Sequence, residues 1–122
     1  GVDLCEAKIR QARAQYPAIT FLHCDVLELP DDAPQYDTVL LPEILEHVPA
    51  PVGTQKLEKA WRFLNAGGRL IVSVPNEGCI PHPNHVRQFT RRELQQLLRA
   101  YGKPTLVRDQ PFKWLMMYVE KT

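Results

Sequence analysis

Residues 36–51 read YDTVLLPEILEHVPAP. The first six, Tyr36 to Leu41, form an aromatic and β-branched run of strand length. Pro42 stops that strand, and Pro42 to Pro51 predicts a loop with one short helical turn. Glu43, Glu46 and His47 therefore stand where a buried strand ends. On a helical turn they are spaced i, i+3 and i+4, so all three side chains are expected on one side.

Downstream, Leu57, Ala60, Trp61 and Leu64 recur at helical spacing, and NAGG (65–68) is expected to end that helix. RLIVSV (69–74) reads as a strand and PNEGCIPHPNH (75–85) as a long loop. Thr90 and Glu93 have capping-box spacing, and Leu94, Leu97, Leu98 and Tyr101 make the apolar stripe of the helix they open, up to Gly102. TLVRD (105–109) and KWLMMYVE (113–120) read as an antiparallel pair. Upstream, AITFLHC (18–24) reads as a buried strand. Cys5, Ile9, Ala12 and Tyr16 mark one helix face, which Pro17 terminates. Gly1–Val2–Asp3 reads as the end of a strand whose beginning is missing.

Alternating strands and helices predict an α/β layer structure with a mainly parallel sheet and a C-terminal antiparallel hairpin. Ligands in such sheets bind beyond the carboxyl ends of the strands. Asp3, Asp25, the 42–47 loop and the 75–85 loop all follow strands, so they are expected along one edge.

The 122 residues suit one domain with a modest core. With 15 Lys+Arg against 14 Asp+Glu the net charge is +1, which gives no electrostatic case for nucleic acid or membrane. No apolar run approaches the roughly 20 residues of a membrane span. Cys5, Cys24 and Cys79 are odd in number and lack metal or redox spacing. They read as reduced core thiols, which points to a cytoplasmic location.

Five segments, GVDLCEAKIRQAR, FLHCDVLELP, YDTVLLPEILEHVPAP, LNAGGRLIVSVPN and HVRQFTRREL, resemble successive motifs of class I S-adenosylmethionine-dependent methyltransferases. The resemblance covers nearly the whole chain. It implies a Rossmann-like sheet with helices on both faces, forming one partial methyltransferase domain over residues 1–122. The family's first strand and its glycine-rich turn, which cradles the methionine part of the cofactor, have no counterpart before Asp3. That strand lies between the second and fourth in the family. A missing N-terminal segment or a second chain is therefore expected to complete the sheet, unless the strands are rearranged.

The resemblance also implies site roles, each with a plainer alternative. Asp3 would bind both ribose hydroxyls of S-adenosylmethionine, or favour a helix N-terminus. Asp25 would meet the adenine amine, with Val26 packed near the ring, or bond its own turn. Leu41, with Leu40 and Pro42, would pass the methionine portion mostly through backbone. Glu43, Glu46, His47 and His85 resemble a metal-ligand set for Mg²⁺ or Mn²⁺ in enzymes that methylate the terminal 2′-hydroxyl of small RNAs. Without a metal, His47 or His85 would be a general base. In the third reading, Glu46 and His47 only shape the loop and His85 lies on the surface. Arg87, Arg91 and Arg92 read as a solvated helix start, and Trp61, Trp114, Met116 and Met117 as core.

A similar pattern occurs in ubiquinone-pathway O-methyltransferases, and the near-neutral charge does not favour an RNA footprint. The expected function is O-methylation of a small-molecule hydroxyl. The alternatives are RNA 2′-O-methylation, a non-catalytic methyltransferase-like module, or another nucleotide-binding α/β domain such as a dehydrogenase half.

Overall fold

The computed structural model describes residues 1–76 and 82–122, so Cys79 and part of the 75–85 loop lie outside the described residues. The chain divides into two compact units, Gly1–Ala33 and Pro34–Thr122.

In the first unit, β1 (Val2–Asp3) and β2 (Leu22–His23) pair in parallel, with α1 (Glu6–Gln15) between them in sequence. The expected strand 18–24 shrinks to two exposed residues because β1 offers only two partners. The expected helix face is also thinner than its spacing suggests. Ile9 is the one buried residue of α1, while Cys5 and Tyr16 are exposed. Cys5 and Cys24 are free thiols, exposed and half-buried, so neither is the core thiol the sequence suggests. Arg13 stitches the unit, its guanidinium donating to the Phe21 carbonyl at 2.7 and 3.1 Å.

The second unit holds a four-stranded mixed sheet in the order β3 (Tyr36–Pro42), β4 (Leu64–Pro75), β6 (Trp114–Glu120), β5 (Thr105–Asp109). β3 and β4 are parallel; β6 runs antiparallel to β4 and to β5. One face of the sheet is the core. Leu70, Val72 and Val74 stand opposite Val119, Met117 and Leu115, all buried. Leu57 and Ala60 of α2 (Ala50–Arg62) and Leu94 and Leu98 of α3 (Arg91–Leu98) complete it. Each such leucine stabilises the fold by roughly 1.5–3 kcal/mol. Side chains on the alternate positions are more exposed: Leu40 is 62% and Trp114 49% accessible, so Trp114 is not a core residue.

The capping box forms as expected. The Thr90 hydroxyl accepts from the Glu93 N–H, and the Glu93 carboxylate accepts from the Thr90 N–H. NAGG does not end a helix. α2 stops at Arg62, and β4 runs through residues 65–68. The glycines serve the strand instead. Gly67 takes φ +79, and a Cβ on Gly68 would meet the Asp37 and Asn65 carbonyls at 3.0 Å. The β3–β4 register shifts at this bulge, between Tyr36 and Thr38.

Candidate functional site

In the first unit, parallel pairing matches Asp3 to His23, which puts Asp3 and Asp25 at the same ends of neighbouring strands. Asp3 closes β1, and its Oδ1 accepts from the Cys5 N–H at 2.7 Å. Asp25 follows β2 and caps a 3-10 turn at Val26–Glu28. Its Oδ1 accepts from the Leu27 N–H, while its own N–H donates to Glu28. Both carboxylates thus have the plain local role that a turn or helix start gives an acid. Both side chains are only half-buried. Val26 is half-buried on the same turn.

In the second unit, the pairs Pro42↔Ser73 and Pro75↔Trp114 bring the end of β3, the end of β4 and the start of β6 to one edge. The Leu41 side chain is buried in the core, so only its backbone can face a ligand. Directly after Pro42 the chain turns sharply. Glu43 takes φ 51, a left-handed conformation that is costly for a side-chain-bearing residue. Ser73 over-determines it: the Glu43 N–H donates to the Ser73 carbonyl, and the Ser73 hydroxyl donates to Glu43 Oε1, each at 2.9 Å.

The helical turn expected over 43–47 is therefore a 3-10 turn at Leu45–His47 that leaves Glu43 out. Leu45 plugs fully into the core and fixes the two residues that follow. The Glu46 carbonyl accepts from the Val86 and Arg87 N–H groups at 2.8 and 3.2 Å, which lays residues 82–87 against the turn. His47 Nδ1 lies 3.0 Å from the Asn84 carbonyl. A carbonyl can only accept, so Nδ1 carries the proton and Nε2 of the neutral ring has the free lone pair. Nε2 lies 3.6 Å from Glu46 Oε1. The His85 ring stands edge-on to His47 at 4.8 Å, with His82 5.2 Å from His85.

Glu46 is 1% exposed, and among the described residues neither carboxylate oxygen has a hydrogen-bond partner. Burial pushes its carboxyl up to about 7, and the neighbouring Glu43 charge pushes the same way. Burial, and then the charges of His47 and His82, hold His85 below its ordinary value, which favours the neutral ring. Glu46, His47 and His85 each offer one donor atom, all within 4.8 Å of one another. A carboxylate and two imidazoles fit a divalent cation, and a buried carboxylate with no partner among the described residues is what such an ion would satisfy. Glu43 is not in this group; Ser73 engages its carboxylate instead. Sequence spacing did not reveal Ser73 or Asn84 as supports. The one available signal was a serine interrupting the apolar run of β4.

Residues 1–68 match a family model described as a methyltransferase domain. A protein of Mycolicibacterium smegmatis named "Probable S-adenosylmethionine-dependent methyltransferase" is 30% identical over 109 residues, covering 84% of this chain and 42% of that protein. The 1,6-didemethyltoxoflavin-N1-methyltransferase of Burkholderia thailandensis was solved with 1,6-didemethyltoxoflavin and S-adenosylhomocysteine bound. It is 29% identical with a TM-score of 0.75, over 99% of this chain and 60% of that one. The magnesium protoporphyrin IX methyltransferase of Synechocystis PCC 6803, solved with bound SAM, shares the Rossmann-like fold at 19% identity and a TM-score of 0.70. That match covers 100% of this chain and 58% of that one. The chain thus spans less than two thirds of the length of each of these relatives.

Proposed function

This chain belongs to the S-adenosylmethionine-dependent methyltransferases, and from that premise we propose that the whole protein methylates a hydroxyl group of a small molecule. The observation that carries this reading is the Glu46–His47–His85 cluster at the strand ends. A sulfonium methyl is already electrophilic, so the protein has to align the reactants and deal with the acceptor's proton. The 1,6-didemethyltoxoflavin enzyme, by its name, methylates N1. Here a base-bearing cluster beside the acceptor favours oxygen, because a hydroxyl must lose its proton to attack.

His47 Nε2 takes the hydroxyl proton while Nδ1–H stays anchored on the Asn84 carbonyl. Glu46, 3.6 Å from Nε2, stabilises the imidazolium so formed. The acceptor oxygen bonds to the methyl carbon, the carbon–sulfur bond breaks, and the sulfur keeps its electron pair as S-adenosylhomocysteine departs. Asp3 binds the ribose hydroxyls and Asp25 the adenine amine, with Val26 against the ring.

The orphaned Glu46 carboxylate favours a second reading of the same cluster. Glu46, His47 and His85 would then hold Mn²⁺ or Mg²⁺, a Lewis acid that lowers the pKa of a bound hydroxyl. The free thiols Cys5 and Cys24 support a reducing, cytoplasmic compartment. No helix among the described residues is long and apolar enough to cross a membrane.

The test is transfer of tritiated methyl from S-adenosylmethionine by the full-length protein to a panel of phenols and to a short RNA with a free terminal 2′-hydroxyl. Transfer to a phenol oxygen, lost in His47→Ala, supports the proposal. Transfer to the RNA alone, or no transfer at all, contradicts it. Activity that survives excess chelator selects the base reading over the metal.

A further inference from the structure

We propose that the tip of the β5–β6 hairpin, Phe112 with Trp114, is a stacking platform for a planar aromatic ring of the methyl acceptor; this rests on the acceptor-site reading above. Three departures from local economy meet in five residues. Phe112 takes φ 59, where glycine would sit without strain. Its ring is nonetheless 73% exposed, so packing does not compensate. Gln110 Oε1 is buried with no hydrogen-bond partner among the described residues. Trp114, two residues beyond Phe112, is half exposed. Strain of this kind persists only where surrounding structure enforces it, and it concentrates at ligand clamps.

The surrounding structure here is Asn76, the residue that follows β4. Its buried amide donates to Asp109 Oδ1 at 2.7 Å and to the Gln110 carbonyl at 2.9 Å. Its backbone N–H donates to the Lys113 carbonyl at 3.1 Å. The turn closes on itself through Gln110 N–H to the Trp114 carbonyl and Lys113 N–H to the Gln110 carbonyl. The tip is thus fixed to the strand whose Ser73 holds Glu43.

Position supplies the occupant. Trp114 pairs with Pro75, and Ser73 with Pro42, so the tip shares the sheet edge that carries Glu46, His47 and His85. From β6 to β3 is two strand spacings, about 10 Å. An aromatic acceptor can therefore lie with its ring at the tip and its hydroxyl toward His47. Phe and Trp rings reward a flat π-system over an aliphatic one of equal size.

The probes are catechol and trans-cyclohexane-1,2-diol, which both carry vicinal hydroxyls but differ in planarity. Each is titrated into full-length protein saturated with S-adenosylhomocysteine. Catechol is expected to bind about three- to tenfold more tightly than the diol. Phe112→Gly should weaken catechol about three- to tenfold, leave S-adenosylhomocysteine affinity unchanged, and keep or raise the thermal midpoint, since glycine accepts the left-handed turn. Phe112→Tyr should retain binding. Equal affinity for the two probes, no catechol binding, an unaltered Phe112→Gly affinity, or a lower midpoint for that variant overturns the platform. A failure of S-adenosylhomocysteine binding is read separately and counts against the methyltransferase reading, not the platform.

Discussion

Glu46 shows how a single side chain can be folded into place against its own preference. Leu45 drags it inward, its oxygens have no hydrogen-bond partner among the described residues, and its backbone carbonyl clamps the histidine-bearing segment. A buried acceptor without a partner costs on the order of 1–3 kcal/mol. We therefore expect Glu46→Gln to raise the urea midpoint of the metal-free protein at pH 8 while cutting methyl transfer by at least about tenfold, the loss that follows when a group acts mainly in the transition state. A stability loss in that variant would mean the carboxylate is structural. The presence of Glu43, Glu46, His47 and His85 was legible in the sequence. The sequence also grouped them, and Glu46, His47 and His85 do meet; the departure of Glu43 was not legible, because spacing assumes a regular helix. Glu43 instead enters the left-handed region under the hold of Ser73, and His85 arrives through backbone bonds from residues 86 and 87 to Glu46.

Among the elements, α3 was readable to its first residue, since a capping box is local chemistry that tertiary packing seldom overrides. Thr90→Ala should cost about 1 kcal/mol by chemical denaturation. The same motif holds the Glu93 carboxyl below its ordinary value, through the Thr90 N–H first and then the hydroxyl. Its contribution is thus present above the unfolded pKa and fades as pH falls through the folded one. Glu93→Gln should accordingly flatten the loss of stability below about pH 4.5, measured as denaturation midpoints across the acid range. The β4 entry misread for the opposite reason. Gly67 and Gly68 have the composition of a helix stop, but the close approach of the Asp37 carbonyl, a non-local fact, is what requires Gly68. Gly68→Ala should lower the thermal midpoint, because the added Cβ meets two backbone oxygens that have no flexible end to move. Leu45→Ala should cost about 2–5 kcal/mol and loosen the 3-10 turn, so its loss of methyl transfer should exceed what instability explains.

For the molecule as a whole, alternation of strands and helices made the α/β class legible, and the Rossmann-like likeness to solved methyltransferases agrees with it. Burial was less legible in residues 1–33, where an apolar spacing in α1 buries Ile9 alone. Amphipathic pattern records which face could be covered, not how much neighbouring surface stands ready to cover it. The claim on which the functional account rests is that Asp3 and Asp25, at the ends of neighbouring parallel strands, bind one adenosyl group. Calorimetric titration of the full-length protein with S-adenosylhomocysteine, beside Asp3→Ala and Asp25→Ala, tests it most directly. A charge-assisted bond to each carboxylate predicts binding that falls about ten- to a hundredfold in each variant. Unchanged affinity in both variants, or no binding by the unmodified protein, would contradict it.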